Sequence, residues 1–358
     1  MHRSTRIEGL DGTPTFYMEN IVSTPISETR LVQFRQDGET RVGLVNDAET
    51  VQTLAVEGGT YALAQRAIQE GRSLRELIES GKEDEQVSYQ GLIDGGALLP
   101  PITHPDPAHC CVSGTGLTHL GSADTRDSMH VKLNDPSGAL TDSMKMFKLG
   151  LEGGKPEPGK IGAQPEWFYK GDGSSIVAPY APIPVPGFAL DGGEEPEIVG
   201  IYLIGWDRKP YRLGFALGNE FSDHVTEKQN YLWLAHSKLR SCSFGPELRL
   251  GDFPRALQGV SRVLRNGKPI WEKPFLTGEE NMCHTVVNLE HHHFKYPQFR
   301  RAGDLHIHFF GTATLSFADG VKAEDNDEFE ISAPAFGRPL ANALHFVPDE
   351  GYVGVIGV

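Results

Sequence analysis

The sequence predicts an α+β protein, mostly β, in two parts: a small N-terminal domain of a hairpin and short helices over residues 1–107, and a larger domain over 108–358. Three observations predict this. The chain has 358 residues, enough for two domains. It carries 41 glycines and 24 prolines, which favours turn-rich β structure over a helical bundle. Short apolar runs separated by glycine and proline turns dominate beyond about residue 108.

The elements follow in order. Residues 1 to 28 read as polar and irregular. Leu31 to Phe34 and Val42 to Val45 flank Asp37-Gly38, a turn pair that closes a hairpin. A third strand is expected over Thr50 to Leu54. Thr60 to Glu70 reads as a helix, with Leu63, Ala64, Ala67 and Ile68 on one face. Ser73 and Glu76 make a capping box for a second helix, Leu74 to Glu79, which Gly81 ends. The passage Leu98-Leu99-Pro100-Pro101 and His104-Pro105-Asp106-Pro107 is stiff and reads as a linker. Residues 124–162 are polar and glycine-rich, and read as a mobile lid or an interface loop; as a lid, they are expected to order when a 2-oxo acid analogue binds. Strands are expected at Ser175 to Val177, Ile198 to Ile204 and Leu305 to Thr312.

The balance of charge excludes some functions. Lysine and arginine total 33 against 48 aspartates and glutamates, a net charge of −15. That field disfavours phosphate backbones and anionic lipid, so neither nucleic acid nor a membrane is an expected partner. No stretch approaches the ~18 apolar residues of a spanning helix. The four cysteines, Cys110, Cys111, Cys242 and Cys283, form no CxxC pair and read as reduced and buried. The opening residues show no apolar signal core, so a cytoplasmic location is expected.

Chemistry is concentrated in Glu195-Pro196-Glu197, which leads into the apolar run Ile198 to Ile204. Side chains at i and i+2 of a strand share a face, so the two carboxylates can converge on one hard cation. Alone, such a pair is more often a solvated strand face. Here a second apolar strand, Leu213 to Gly218, delivers Asn219-Glu220-Phe221-Ser222 at its far end. Lys238 follows, ahead of Phe244-Gly245-Pro246. Upstream lie Phe168-Tyr169-Lys170 and Ser174-Ser175-Ile176-Val177, and near the end lie Gly303-Asp304 and Gly311-Thr312. His291-His292-His293, placed in a strand, cannot all grip one ion. His306 and His308, at i and i+2, are expected to pack in the core or wall.

In these motifs and their order, over roughly residues 110 to 345, the sequence resembles the fumarylacetoacetate hydrolase superfamily. The resemblance implies that family's β-roll catalytic domain behind a small N-terminal α/β domain, and assembly as a homodimer or higher oligomer. It implies a metal, Mg2+ or else Mn2+ or Ca2+, held by Glu195, Glu197 and Glu220, with glutamate where most relatives have aspartate. It implies Lys238, Lys170 and His119 as catalytic groups, and Ser175 and Thr312 as substrate contacts. The family's Ser-Ala-Arg is Ser222-Asp223-His224 here, so an arginine that usually faces the substrate is absent.

The substrate implied is a small 2-oxo acid, which can chelate a cation through its carboxylate and adjacent carbonyl. The layout looks like the sugar-acid branch, sometimes grouped as AraD1-like proteins. The expected activity is therefore dehydration of a 2-keto-3-deoxy-pentonate to 2-oxoglutarate semialdehyde. The alternatives are C–C hydrolysis of an acylpyruvate or 2,4-diketo acid, with His119 activating water, and sugar-acid binding without turnover.

Overall fold

A computed structural model describes residues 29–121 and 140–358 of the chain. The expected irregular N-terminus and the first part of residues 124–162, to residue 139, lie outside the described residues.

The N-terminal elements form where their local signals place them. β1 (Arg30–Gln36) and β2 (Glu39–Val45) pair antiparallel, and β3 (Thr50–Leu54) adds to β2. The turn needs positive φ at both central positions, and Asp37 and Gly38 take 51° and 85°. The helix Gly59–Glu70 buries Leu63, Ala64 and Ala67. The helix Leu74–Ser80 carries the reciprocal Ser73–Glu76 capping box. β4 (Lys82–Ser88) and the helix Tyr89–Asp94 complete this part without having been foreseen. Neither has a clear apolar period; β4 is held by its pairing to β3.

The proline-rich passage is packed into the fold. β5 (Leu98–Leu99) pairs with β1, and Pro100, Pro101 and Ile102 are buried. β1 also pairs, through Arg30 and Leu31, with a short strand from the second half of the chain. One extended sheet thus includes strands from both halves. Beyond those already given it contains β6 (Cys110–Gly114), β7 (Phe168–Asp172) and β8 (Ile176–Val177). With β9 (Ile183–Val185) belonging elsewhere, it continues in β10 (Pro196–Ile204), β11 (Pro210–Asn219), β12 (Cys242–Phe244) and β13 (Leu248–Arg249). A second, antiparallel sheet holds β14 (Leu257–Arg265) and β15 (Lys268–Thr277). β16 (Leu305–Phe309) returns to the first sheet, between β10 and β6. β17 (Glu328–Ser332) and β18 (Leu340–Phe346) complete the second, with β9 parallel at the edge of β18.

β10 explains the core. Every residue from Pro196 to Ile204 is buried, because the strand has a core on each face. Val199, Ile201 and Leu203 pack with Leu63 and Ile78 of the N-terminal helices. Ile198, Tyr202 and Ile204 pack on the other side with Phe275, Leu289 and Ile331, under the second sheet.

Two expectations are corrected. His291, His292 and His293 sit on the helix Val286–Phe294, not a strand. The Thr285 side chain caps that helix, accepting from Asn288 N. The described part of the expected lid contains the helix Asp142–Gly153, capped by Thr141. Its glycines hid it from a propensity reading. Gly150 is required by contact: a Cβ there would lie 2.7 Å from His284 Nε2 and 2.9 Å from Cys283 Sγ. His306 and His308 pack in the core as expected, both essentially fully buried.

Candidate active site

β10 and β11 run antiparallel with Pro196 opposite Asn219 and Glu197 opposite Gly218. The start of one strand therefore meets the end of the other. Glu195 N donates to Asn219 Oδ1 at 3.2 Å, and Glu220 N donates to the Glu195 carbonyl at 3.1 Å. This register, set by apolar pairs such as Ile198–Leu217, carries three carboxylates distant in sequence to one point. Glu195, Glu197 and Glu220 each offer an oxygen within 4.8 Å of the others, and all three are buried. They are the one such acidic, histidine or cysteine cluster among the described residues.

Two lysines close around this cluster. Lys238 ends the helix Leu234–Lys238, and its Nζ donates to Glu195 Oε1 at 2.5 Å and Glu220 Oε2 at 2.6 Å. Its ammonium also lies 5.0 Å over the Phe168 ring. Lys170, two residues along β7 from Phe168, is 1% exposed. Its Nζ reaches Glu220 Oε1 at 2.5 Å and donates to the carbonyls of Phe221 and Lys238. Lys170 thus ties the carboxylate to the chain segments that carry it.

Burial shapes the electrostatics. It works against ionisation of Glu195, but Lys238 and His224 outweigh it and hold that carboxyl below the ordinary range. Glu197 makes no direct ion pair among the described residues; burial, then the Glu220 and Glu195 charges, push it well up against the weaker pull of Gly311 N–H and Lys238. Glu220 is also raised by burial despite the two lysines. Burial disfavours the Lys238 ammonium, yet Glu195, Glu220 and Glu227 hold it charged well above the usual lysine range. Three oxygen donors whose mutual repulsion lifts one of them suit a hard divalent cation, which would relieve that repulsion. Glu197 is aimed by Gly311, whose N–H donates to its Oε2 at 2.6 Å.

The cluster opens on a cavity of about 420 Å³ whose lining includes Glu195, Glu197, Lys238, Thr115, Gly311 and Thr312. Thr312 is placed where its expected contact with substrate is possible. Ser175 does not line the cavity; its hydroxyl donates to the Asp172 carbonyl at 2.8 Å, in the turn before β8. His119 does not line it either. The Thr118 hydroxyl donates to the Phe310 carbonyl, so it accepts from His119 Nδ1–H; His119 Nε2 then accepts from the Thr277 hydroxyl at 2.9 Å. Burial depresses this imidazole to about 3. His119 is a neutral wall residue beside Gly311, not a base facing the cavity.

Several cavity residues escaped the sequence reading. His224 donates from Nε2 to Glu195 Oε1 at 3.0 Å and pairs through Nδ1 with Asp191 at 3.4 Å. Burial opposes its protonation, but Asp191 and Glu195 raise it to about 9. The Phe317 ring stacks on it at 5.1 Å. Glu194 accepts from the Ser316 N–H and hydroxyl, which fixes the segment that presents Phe317. The run Glu194-Glu195-Pro196-Glu197 contained that signal, but alternation along a strand points Glu194 away from its neighbours. Glu166, Glu227, Lys228 and Tyr231 also line the cavity. Burial raises both glutamate carboxyls. These four come from loops and short helices with no motif to mark them.

No family model matches the chain, and no curated protein matches it. Solved structures do. A hexagonal crystal form of 2-keto-3-deoxyarabinonate dehydratase superposes with a TM-score of 0.66 at 18% identity, covering 89% of this chain and 100% of that one. The 2-keto-3-deoxy-D-arabinonate dehydratase complexed with magnesium and 2,5-dioxopentanoate gives 0.65 at 18% identity with the same coverage. A 5-carboxymethyl-2-hydroxymuconate delta-isomerase from Mycobacterium smegmatis gives 0.55 at 15%, again over 89% of this chain and 100% of that one. At these identities the likeness is one of fold.

Proposed function

We propose that this chain, which folds as the enzymes of the fumarylacetoacetate hydrolase superfamily do, is a metal-dependent dehydratase of a 2-keto-3-deoxy sugar acid. The observation that carries the proposal is the convergence of Glu195, Glu197 and Glu220 on one point beside Lys238, at the wall of a cavity. Three carboxylates suit a hard, oxygen-binding divalent cation, and magnesium is the one proposed because a dehydratase of this fold is complexed with it. Held there, it would place positive charge beside the carbonyl of a 2-oxo acid and so ease loss of a proton from the neighbouring carbon.

The chain's own residues do the rest. Lys170 neutralises Glu220 from behind and leaves its other oxygen to the cavity side. His224, with both ring nitrogens committed to carboxylates, clamps Glu195. Lys238 stays an ammonium and orients the substrate carboxylate; it is not the base. Thr312 offers a hydroxyl to the substrate. Glu227, whose carboxyl burial lifts, exchanges the proton between C3 and the departing C4 hydroxyl. Dehydration is preferred to C–C hydrolysis because the histidine that would activate water, His119, is turned into the wall. A polyhydroxylated substrate also suits a cavity with two threonines and two lifted glutamates on its wall.

The test is turnover. Purified protein with magnesium and each configuration of 2-keto-3-deoxy-pentonate is expected to form 2,5-dioxopentanoate with one of them. Absence of the semialdehyde from all of them, or loss of a diketo chromophore instead, would refute the reading. A second measurement bears on the metal. Glu195→Gln removes one of three anionic donors and is expected to weaken magnesium at least tenfold by calorimetry; equal affinity would remove Glu195 from the set.

A further inference from the structure

A second chamber lies against the reaction cavity. It has a volume of about 560 Å³ and is lined by Met146, Trp167, Tyr296 and Phe299 among others. Glu166, Tyr231 and Leu234 line both spaces, so they form the wall between them. That wall is held shut by a hydrogen bond from the Tyr231 hydroxyl to Glu166 Oε1. The other carboxylate oxygen rests on Gly116, where a Cβ would lie 1.8 Å from Oε2. Glycine at 116 therefore lets the carboxylate sit in the wall. Among the described residues Glu166 has no salt-bridge partner, unlike Glu195 and Glu220 of the cluster.

We propose that the Glu166–Tyr231 pair determines specificity, confining the site to 2-oxo acids with a short hydroxylated tail and excluding those with a long apolar one. The argument rests on the reading of the site given above. A tail hydroxyl can donate to Glu166, a carboxylate that otherwise has one neutral donor. An apolar tail reaching the wall would desolvate that carboxylate with only the neutral Tyr231 hydroxyl to offset it, which is costly. Recognition through a buried hydrogen-bonding group discriminates far more strongly than a hydrophobic fit alone. Behind the wall is an aromatic chamber of a size and character to take such a tail once the pair is broken.

Two variants test this, each with magnesium present. Tyr231→Ala removes the bond and part of the wall; Glu166→Leu keeps the wall but deletes its charge. Calorimetry reads the affinities of pyruvate, too short to reach the wall, and 2-oxooctanoate, long enough to cross it. The ratio of 2-oxooctanoate to pyruvate affinity is expected to rise at least tenfold in either variant relative to the parent. A ratio unchanged in both, with pyruvate still bound, overturns the specificity role and leaves the site intact. No pyruvate binding by the parent overturns the 2-oxo acid site itself, and the specificity role with it. Far-ultraviolet dichroism identifies a variant that has failed to fold, and the other then decides the matter.

Discussion

Lys170 shows how much of this site is support. Its ammonium has no access to the cavity, yet it contacts Glu220 and two carbonyls from segments that frame the metal cluster. Removing one partner of a fully buried pair leaves the other charge uncompensated, at a cost of about 3–5 kcal/mol. Lys170→Met is therefore expected to lower stability to urea by about 3 kcal/mol or more. A variant as stable as the parent would mean that Glu220 is neutral without it. The lysine was identifiable in Phe168-Tyr169-Lys170, but its part as a buried strut was not, because that depends on Phe221 and Lys238 folding over it. His224 is the converse case. Its place in the motif was visible as a departure from arginine, and only the structure turned the departure into a clamp on Glu195.

At the level of elements, the contact between β11 and β13 joins the N-terminal hairpin to the strand that carries Glu220. Gly214 makes that contact close: a Cβ there would lie 2.3 Å from the Arg249 carbonyl oxygen. Backbone cannot yield as a side-chain end can, so Gly214→Ala is expected to destabilise by about 1–3 kcal/mol. Denaturant melts check this; no change in midpoint would show that the strands can separate freely. A milder effect belongs to the helix Leu74–Ser80, where Ser73→Ala breaks a reciprocal cap and is expected to cost about 1 kcal/mol. Elements with such local punctuation were legible in advance. The helix Asp142–Gly153 and the strand β4 were not, since the first needs glycine for contact with His284 and the second needs β3 for its pairing.

The molecule as a whole stores several neutral imidazoles. His308 donates or accepts through Nδ1 with the Ser113 hydroxyl at 2.9 Å, and His306 Nδ1 meets His293 Nε2 at 3.0 Å. Burial depresses His308 to about 3 and His306 to about 4, from an ordinary value of 6.5. The unfolded chain takes up a proton at each near 6.5, while the native state cannot until far lower. Their contribution is thus present above pH 6.5 and is lost as pH falls toward the native values. The loss is about 1.4 kcal/mol per pH unit for each such histidine. Buried carboxyls such as Glu194 and Glu197, whose values burial raises, act in the opposite sense, so a difference measurement is needed. Between pH 6.5 and 5, the parent is expected to lose stability relative to His308→Gln; parallel curves would show that His308 titrates normally when folded.

The sequence by itself determined the mostly β architecture and the N-terminal hairpin and helices, because these depend on short-range physics: alternation along a strand, caps and turn residues. The acidic residues and lysines of the cluster were named through the order of their motifs and the family these resemble, since no short-range rule separates them from solvated surface charges. Tertiary structure alone decided which of the named residues reach the cavity. His119 and Ser175 are turned away, while Glu166 enters from a loop and Glu227 and Tyr231 from short helices. Which face of the chain borders a cavity is set by packing against strands and helices distant in sequence, and no local pattern encodes that.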